Sequence, residues 1–229
     1  MDYSILVEVY EKLLSTTKRL EKTYYLSELL KKTSKDDIDE LILLLQGRVY
    51  PRYDERKIGV AARLVIKAIK RATGRSEERI EKEWKNTGDL GITVFNLIKK
   101  KKSTTLASWG ASPSEKLTVK KVFNNIRKLA ETEGKGSVEQ KLGLLVDILK
   151  DAEDLEAKYI VRTVLEDLRV GLGEGTLRDA ITWASIPPIY GIFYRCESCN
   201  RWMPATSKCI ECKKELKTKY DKEKKKNVL

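Results

Sequence analysis

Residues 1–185 carry apolar side chains at intervals of three and four, which is the spacing of one face of an α-helix. Residues 60–72 show this clearly, with apolar residues on one face (Ala61, Leu64, Val65, Ala68, Ile69) and basic residues on the other (Arg63, Lys67, Lys70, Arg71). The alternation typical of strands is almost absent until the segment IYGIFYRC, which begins at residue 189. The sequence therefore predicts a mainly α protein of roughly eight to ten helices, followed by a small β module at the C-terminus.

Composition and charge narrow the class of protein. The 229 residues are 41% hydrophobic and 35% charged, against about 25% charged in average domains, so a globular fold is expected. The net charge of +12 indicates a polyanionic partner or a lysine-rich proteome. No apolar run approaches the ~20 residues of a membrane span, and the N-terminus lacks the basic start of a signal peptide. We expect a cytoplasmic protein with no membrane partner.

All four cysteines lie between residues 196 and 212, and the chain contains no histidine. They form two Cys-x-x-Cys pairs with nine residues between them, a spacing that can present four thiolates tetrahedrally to Zn²⁺. We predict a structural zinc site in a ribbon-like module, with the ligands Cys196, Cys199, Cys209 and Cys212. Disulfides, a redox Cys-x-x-Cys pair and a rubredoxin-like iron centre are the alternatives. Without histidine, Ser-His and Cys-His catalytic pairs are excluded, and we predict no catalytic residues in this chain.

The turn ETEGKGSVEQK combines glycines with positive charge. Gly134 and Gly136 allow the backbone to approach another surface closely, and Lys135 and Lys141 supply cations. Ser137 is expected to cap the following helix, whose N-terminus favours anions. The residues alone favour an ordinary junction between two helices.

Over residues 1–184 the chain resembles the N-terminal DNA-binding domain of archaeal and eukaryotic-type ATP-dependent DNA ligases. The resemblance lies in the order and spacing of several segments: GRVYP, IGVAARLVIKAI, TGDLG, KLGLLVDIL and EAKYIVRTVLEDLRVGLGEGTLRDAI. It implies an all-helical domain that grips duplex DNA around a nick, chiefly across the minor groove. A domain that binds any nick is expected to contact the phosphate backbone rather than base edges.

The resemblance implies that three segments face DNA. The candidate DNA-binding residues are Lys18, Arg19 and Lys22 in STTKRLEKT, Gly134, Lys135, Gly136, Ser137 and Lys141 in the turn above, and Arg169, Gly171 and Gly173 in EDLRVGLGEGTLRD. The last turn also fits a plain connection before a capped helix.

The resemblance ends near residue 185. The family's catalytic domain attaches AMP to the lysine of a Lys-x-Asp-Gly motif, and no lysine here begins that tetrapeptide. We therefore predict no ATP site in this chain and no ligation by the chain alone. The predicted organisation is a helical DNA-binding domain in residues 1–185, a four-cysteine zinc-ribbon-like module in residues 186–215 and a basic tail in residues 216–229.

Three functions remain open. The first is binding of nicked duplex DNA in replication or repair, and the second is the role of a non-catalytic subunit in a split ligase whose catalytic subunit acts in trans. The third is a scaffold or adaptor whose ribbon contacts a protein or RNA partner. Residues 213–229 contain eight lysines against three acids, which fits either a solvated charge run or nucleic-acid contact.

Overall fold

The computed structural model describes residues 1–102, 116–186 and 193–216, and of residues 100–102 only the backbone. Within these ranges the chain forms ten α-helices and two β-strands: α1 (Tyr3–Leu14), α2 (Arg19–Lys32), α3 (Ile38–Leu45), α4 (Ala62–Thr73), α5 (Glu77–Thr87), α6 (Leu90–Lys102), α7 (Val119–Glu131), α8 (Ser137–Asp151), α9 (Asp154–Val164), α10 (Glu174–Ser185), β1 (Phe193–Arg195) and β2 (Trp202–Pro204). The predicted mainly α fold with a small C-terminal β module is confirmed. The predicted basic tail, apart from its first residue, lies outside the described residues.

The chain divides into two compact units. Unit 1 consists of Met1–Tyr10 and Thr33–Val170, and unit 2 of Glu11–Lys32 and Gly171–Leu229. Each unit therefore joins segments that are far apart in sequence. None of the described helices combines the length and the apolar character needed to cross a bilayer.

The core of unit 1 is built from helix pairs in which α6 packs on α9 and α4 packs on α8. The amphipathic pattern of α4 explains its place, because Val65, Ala68 and Ile69 are fully buried while the basic face is exposed. The rings of the buried Tyr10 and Tyr159 lie 4.6 Å apart. A buried hydroxyl needs a partner, and Tyr10 Oη donates to the Leu44 carbonyl at 2.8 Å.

A buried ion pair joins the start of α6 to α9 in unit 1. Asp89 is 5% exposed and Arg162 is 6% exposed, and Nε and Nη2 of Arg162 donate to Asp89 Oδ2 at 3.1 and 3.0 Å. The other oxygen, Oδ1, accepts from the Ile92 N–H at 3.0 Å, as a helix N-cap does. Burial opposes ionisation of Asp89, but these hydrogen bonds and the Arg162 charge outweigh it and hold its pKa below the usual range.

In unit 2, α2 packs along α10, and the two short strands form an antiparallel pair. Their register places Tyr194 opposite Met203. The strand pair leads into the two Cys-x-x-Cys segments, and their buried residues pack against α2. The small β module therefore shares its core with a helix that is more than 150 residues earlier in the sequence.

Two glycines inside helices make a matched test of this packing. A Cβ at Gly91 of α6 would lie 2.7 Å from the Lys158 backbone carbonyl of α9, whereas a Cβ at Gly143 of α8 would meet nothing within 4 Å. We expect Gly91→Ala to destabilise the protein by about 1–3 kcal/mol through overpacking. Gly143→Ala should stabilise it by about 0.5–1 kcal/mol, because alanine favours the helix. Urea unfolding followed by circular dichroism measures both, and equal midpoints for the two variants would contradict the α6–α9 contact.

Candidate nucleic-acid interface and metal centre

In unit 2 the start of α2 and the turn before α10 are neighbours. Lys22 Nζ donates to the Gly171 carbonyl at 2.8 Å, and Arg19 pairs with Asp179 of α10 at 2.6 Å. Gly171 has a φ of 59°, which glycine adopts without strain, and Gly173 is the N-cap residue of α10. The structure therefore brings together Lys22 and Gly171, which the sequence placed in separate candidate segments.

The basic side chains at this end of α2 remain accessible. The Lys18 side chain is 76% exposed and pairs with Glu21 at 3.0 Å, while the Arg19 side chain is 61% exposed despite its contact with Asp179. Exposed ion pairs of this kind are weak and exchange readily for other partners. This end of α2 can therefore present cations to an external anion.

Arg169, the remaining candidate in the segment EDLRVGLGEGTLRD, lies in unit 1. Its guanidinium pairs with Asp167 at 2.6 Å and with the buried Asp89 at 3.3 Å. Its φ of 56° is unusual for a residue with a side chain, and the two carboxylates hold the guanidinium in place. Sequence reasoning did not find Asp89 as its partner, because the two residues are 80 positions apart.

The turn before α8 adopts the glycine-dependent geometry that the sequence suggests. Gly134 and Gly136 have φ values of 91° and 87°, and a Cβ at either position would meet nothing within 4 Å. The predicted cap at Ser137 is wrong. Gly136 is the N-cap residue and Ser137 is the first residue of α8, with no side-chain cap hydrogen bond. Since Gly136 has no side chain, an outside acceptor can approach the first N–H groups of the helix.

Beside this turn, α4 and α8 line a concavity of about 330 Å³. Its lining contains three cations and no carboxylate: Gly59, Ala61, Arg63, Leu64, Lys67, Ser137, Val138 and Lys141. Lys141 Nζ lies 3.5 Å from the Ile58 carbonyl, a contact that leaves its charge uncancelled. The surface therefore carries concentrated positive charge next to the glycine turn.

Arg63 and Lys67 were not among the predicted DNA-binding residues. Sequence reasoning placed them on the polar face of an amphipathic helix, which is also what a solvated face looks like. Their spacing of four puts both side chains on one side of α4, and this was the available signal. Only the packing of α4 on α8 shows that they lie next to Ser137 and Lys141.

The four cysteine sulfurs form one cluster in unit 2. All four lie within 4.8 Å of one another, and Sγ of Cys196 lies 3.6 Å from that of Cys212, as does Sγ of Cys199 from that of Cys209. Four sulfurs bound tetrahedrally at about 2.3 Å from Zn²⁺ would be separated by about 3.8 Å, so the spacing fits such an ion. The structure confirms the predicted cysteine cluster, and each sulfur belongs to a free thiol.

The two Cys-x-x-Cys segments, which we call the first knuckle (Cys196–Cys199) and the second knuckle (Cys209–Cys212), have matching backbone contacts. The N–H of the first cysteine donates to the carbonyl five residues later, from Cys196 to Arg201 and from Cys209 to Lys214. Hydrogen bonds from the backbone N–H groups of Cys199 and Ser198 lower the pKa of Cys196 to about 6. A lowered pKa favours the thiolate, which is the form that binds a metal.

The knuckles are not isolated from the helices. Cys196, Met203, Cys209, Ile210 and Leu216 form one buried cluster with Tyr24 of α2, and Trp183 of α10 packs against it. The rings of Trp183 and Phe193 are 4.9 Å apart. The sulfur cluster and the basic start of α2 therefore belong to the same packed unit.

The family profile and the related proteins that match this chain point to the same family. A family profile described as "DNA ligase N terminus" matches residues 2–182. The DNA ligase of Methanothermobacter thermautotrophicus is 43% identical over 182 residues, which cover 80% of this chain and 32% of the relative. The DNA ligase of Thermococcus onnurineus is 42% identical over 184 residues, with 80% and 32% covered, and that of Acidianus ambivalens is 40% identical over 184 residues, with 79% and 31% covered.

The extent of these matches is also informative. The chain spans about a third of the length of these relatives. The matched segment ends within α10, and the cysteine cluster lies beyond it. On the profile match and on relatives at 40–43% identity, the chain belongs to the DNA ligase N-terminus family.

Proposed function

We propose that this chain binds duplex DNA at nicks, through the phosphate backbone and the minor groove, as the DNA-binding part of an ATP-dependent DNA ligase in replication and repair. Family membership supports the class of partner. The observation that carries the proposal is the concavity between α4 and α8, whose lining has three cations, no carboxylate and an adjoining glycine turn.

The concavity has the chemistry of a phosphate site. Duplex DNA carries one negative charge per about 1.7 Å of its axis, so uncancelled cations release counterions and gain affinity. Arg63, Lys67 and Lys141 provide the cations, and Gly134 and Gly136 let a phosphate approach the start of α8. Base edges are not required for any of these contacts, which suits a protein that must bind nicks of any sequence.

An exposed apolar residue completes this surface. Val138 is 62% exposed and lines the same concavity. An exposed apolar side chain beside cations suits the DNA backbone, in which deoxyribose rings with apolar faces alternate with charged phosphates. The second contact surface of the proposal is in unit 2, where Lys22 bonds to the Gly171 carbonyl, Arg19 pairs with Asp179 of α10 and Lys18 precedes Arg19.

We assign the cysteine cluster to structural Zn²⁺. The four ligands would fill the coordination shell, so no open position would remain for a substrate or a catalytic water. When bound, the ion would hold the two knuckles together. Their buried residues then support the face of α2 against which they pack.

A split ligase is the second candidate function. The observation in its favour is that no Lys-x-Asp-Gly motif occurs in these 229 residues, so the lysine that forms the AMP adduct would have to lie outside them. In that case the purified chain incubated with labelled ATP would form no AMP adduct, and sealing would appear only when an adenylating subunit was added.

The proposed DNA contact predicts a steep dependence on salt. We expect the affinity for a nicked duplex to fall as salt rises. In the double variant Arg63→Gln, Lys67→Gln, the slope of log K against log salt should become shallower by about 1.8, because two phosphate contacts are lost. Fluorescence anisotropy with a labelled nicked duplex measures this slope. Lys70→Gln is the matched control, since Lys70 is on the same helix but pairs with Glu77 at 3.5 Å and does not line the concavity. Salt-independent or undetectable binding would contradict the proposal.

The proposed zinc site predicts a loss of metal when one ligand is removed. Cys199→Ser should lower the bound metal from about one ion per chain to none, because zinc binding supplies the folding energy of such a module. Since the cluster includes Tyr24, α2 should also exchange its amide hydrogens faster, while α4 and α8 of unit 1 stay protected. Elemental analysis and hydrogen exchange measure the two effects. Retention of a full equivalent of metal by the variant would argue against a four-thiolate site.

A further inference from the structure

The two knuckles carry different residues at the position after their second cysteine. Asn200 and Lys213 each follow the second cysteine of their knuckle, with φ values of 61° and 60°. Their N–H groups donate to the carbonyls of Cys196 and Cys209 at 2.9 and 3.0 Å. Asparagine adopts this left-handed conformation readily, whereas lysine does so only at a conformational cost. The hydrogen bond of the knuckle therefore holds the Lys213 backbone in a conformation that asparagine would adopt more readily.

The packing of unit 2 determines what Lys213 faces. Cys209, Ile210 and Cys212 of the second knuckle pack with Tyr24 and Tyr25 of α2. Glu21 precedes these tyrosines by three and four residues, so it lies one turn earlier on the same face of the helix. The second knuckle therefore packs against α2 about one helical turn after the basic residues at the start of that helix.

The charges agree with this geometry. Partial burial of Glu21 opposes its ionisation, yet hydrogen bonds from Thr16 and Lys18 and the charges of Lys18 and Lys213 hold its pKa below the usual range. Lys213 directly follows Cys212 of the knuckle that packs on α2, and Glu21 also pairs with Lys18 at 3.0 Å. Lys213 and Lys18 are both exposed, so two accessible cations flank one carboxylate.

We propose that the second knuckle, through Lys213, forms part of the surface with which unit 2 contacts the phosphate backbone of duplex DNA, continuous with Lys18 and Lys22. This inference rests on the proposed function and adds a residue beyond the segment that matches the ligase family. The knuckle fixes the backbone of Lys213, and the packing of the knuckle on α2 puts Lys213 in the same compact unit as Lys18 and Lys22. The metal-binding module then enlarges the DNA-binding surface as well as supporting it.

The test exploits the equivalence of the two knuckles. Lys213→Asn installs the residue that the first knuckle already uses, so the backbone conformation is favoured while the charge is removed. We expect a full equivalent of metal by elemental analysis. The slope of log K against log salt for a nicked duplex should become shallower by about 0.9, and affinity should fall several-fold near 0.1 M salt. Lys213→Arg, which keeps the charge, should retain the slope of the unaltered chain.

The matched control is Lys31→Gln. Lys31 is on the same helix and pairs with Glu28 at 2.8 Å, but it follows Lys22 by nine residues, which is about 13 Å along the helix axis. Its removal should leave the slope unchanged. An unaltered slope and affinity in Lys213→Asn would overturn the inference while leaving the proposed function intact. Failure of the unaltered, metal-loaded chain to bind nicked duplex would overturn the proposed function itself, and this inference with it.

Discussion

The buried pair of Asp89 and Arg162 is the contact on which the packing of unit 1 most depends. Removing Asp89 would leave the Arg162 guanidinium charged and without its carboxylate in the interior, at a cost of about 3–5 kcal/mol, which is a large part of the 5–15 kcal/mol by which typical proteins are stable. The Arg162 guanidinium also lies 5.5 Å from the ring centre of Tyr159, whose ring packs on Tyr10. One line of contacts therefore runs from the start of α6 through α9 and α1 to the Leu44 carbonyl of α3.

The same carboxylate decides which cations of unit 1 would be available to the proposed DNA partner. Arg162 and Arg169 both pair with Asp89, and Arg169 also pairs with Asp167, so this group of two arginines and two aspartates has no net charge. The concavity between α4 and α8 has three cations without a carboxylate in its lining. Because a phosphate responds to net local charge rather than to the number of basic residues, the concavity contributes more to attraction, and Arg169 more to holding its turn in place.

The parts of the structure that could be predicted from the sequence are those that depend on residues close to one another along the chain. Helical spacing gave the mainly α fold, and the spacing of Cys196, Cys199, Cys209 and Cys212 predicted one cluster, because both depend on local geometry. The cap at Ser137 was wrong, since the left-handed Gly136 takes the N-cap position. The partnership of Arg169 with Asp89 and the grouping of Arg63 with Lys141 could not be predicted, because each is produced by helix packing between distant segments.

The shared core of unit 2 couples the metal centre to the family domain. Tyr24 lies within the segment that matches the ligase family, yet it is 2% exposed because residues beyond that segment cover it. Lys22 precedes Tyr24 by two residues and bonds to the Gly171 carbonyl, so the order of the basic surface and the burial of Tyr24 depend on the same helix. A metal that binds only the folded knuckles stabilises every contact that folds with them. Metal occupancy and the order of the α2 surface would therefore be thermodynamically linked, because the C-terminal module shares its buried core with that helix.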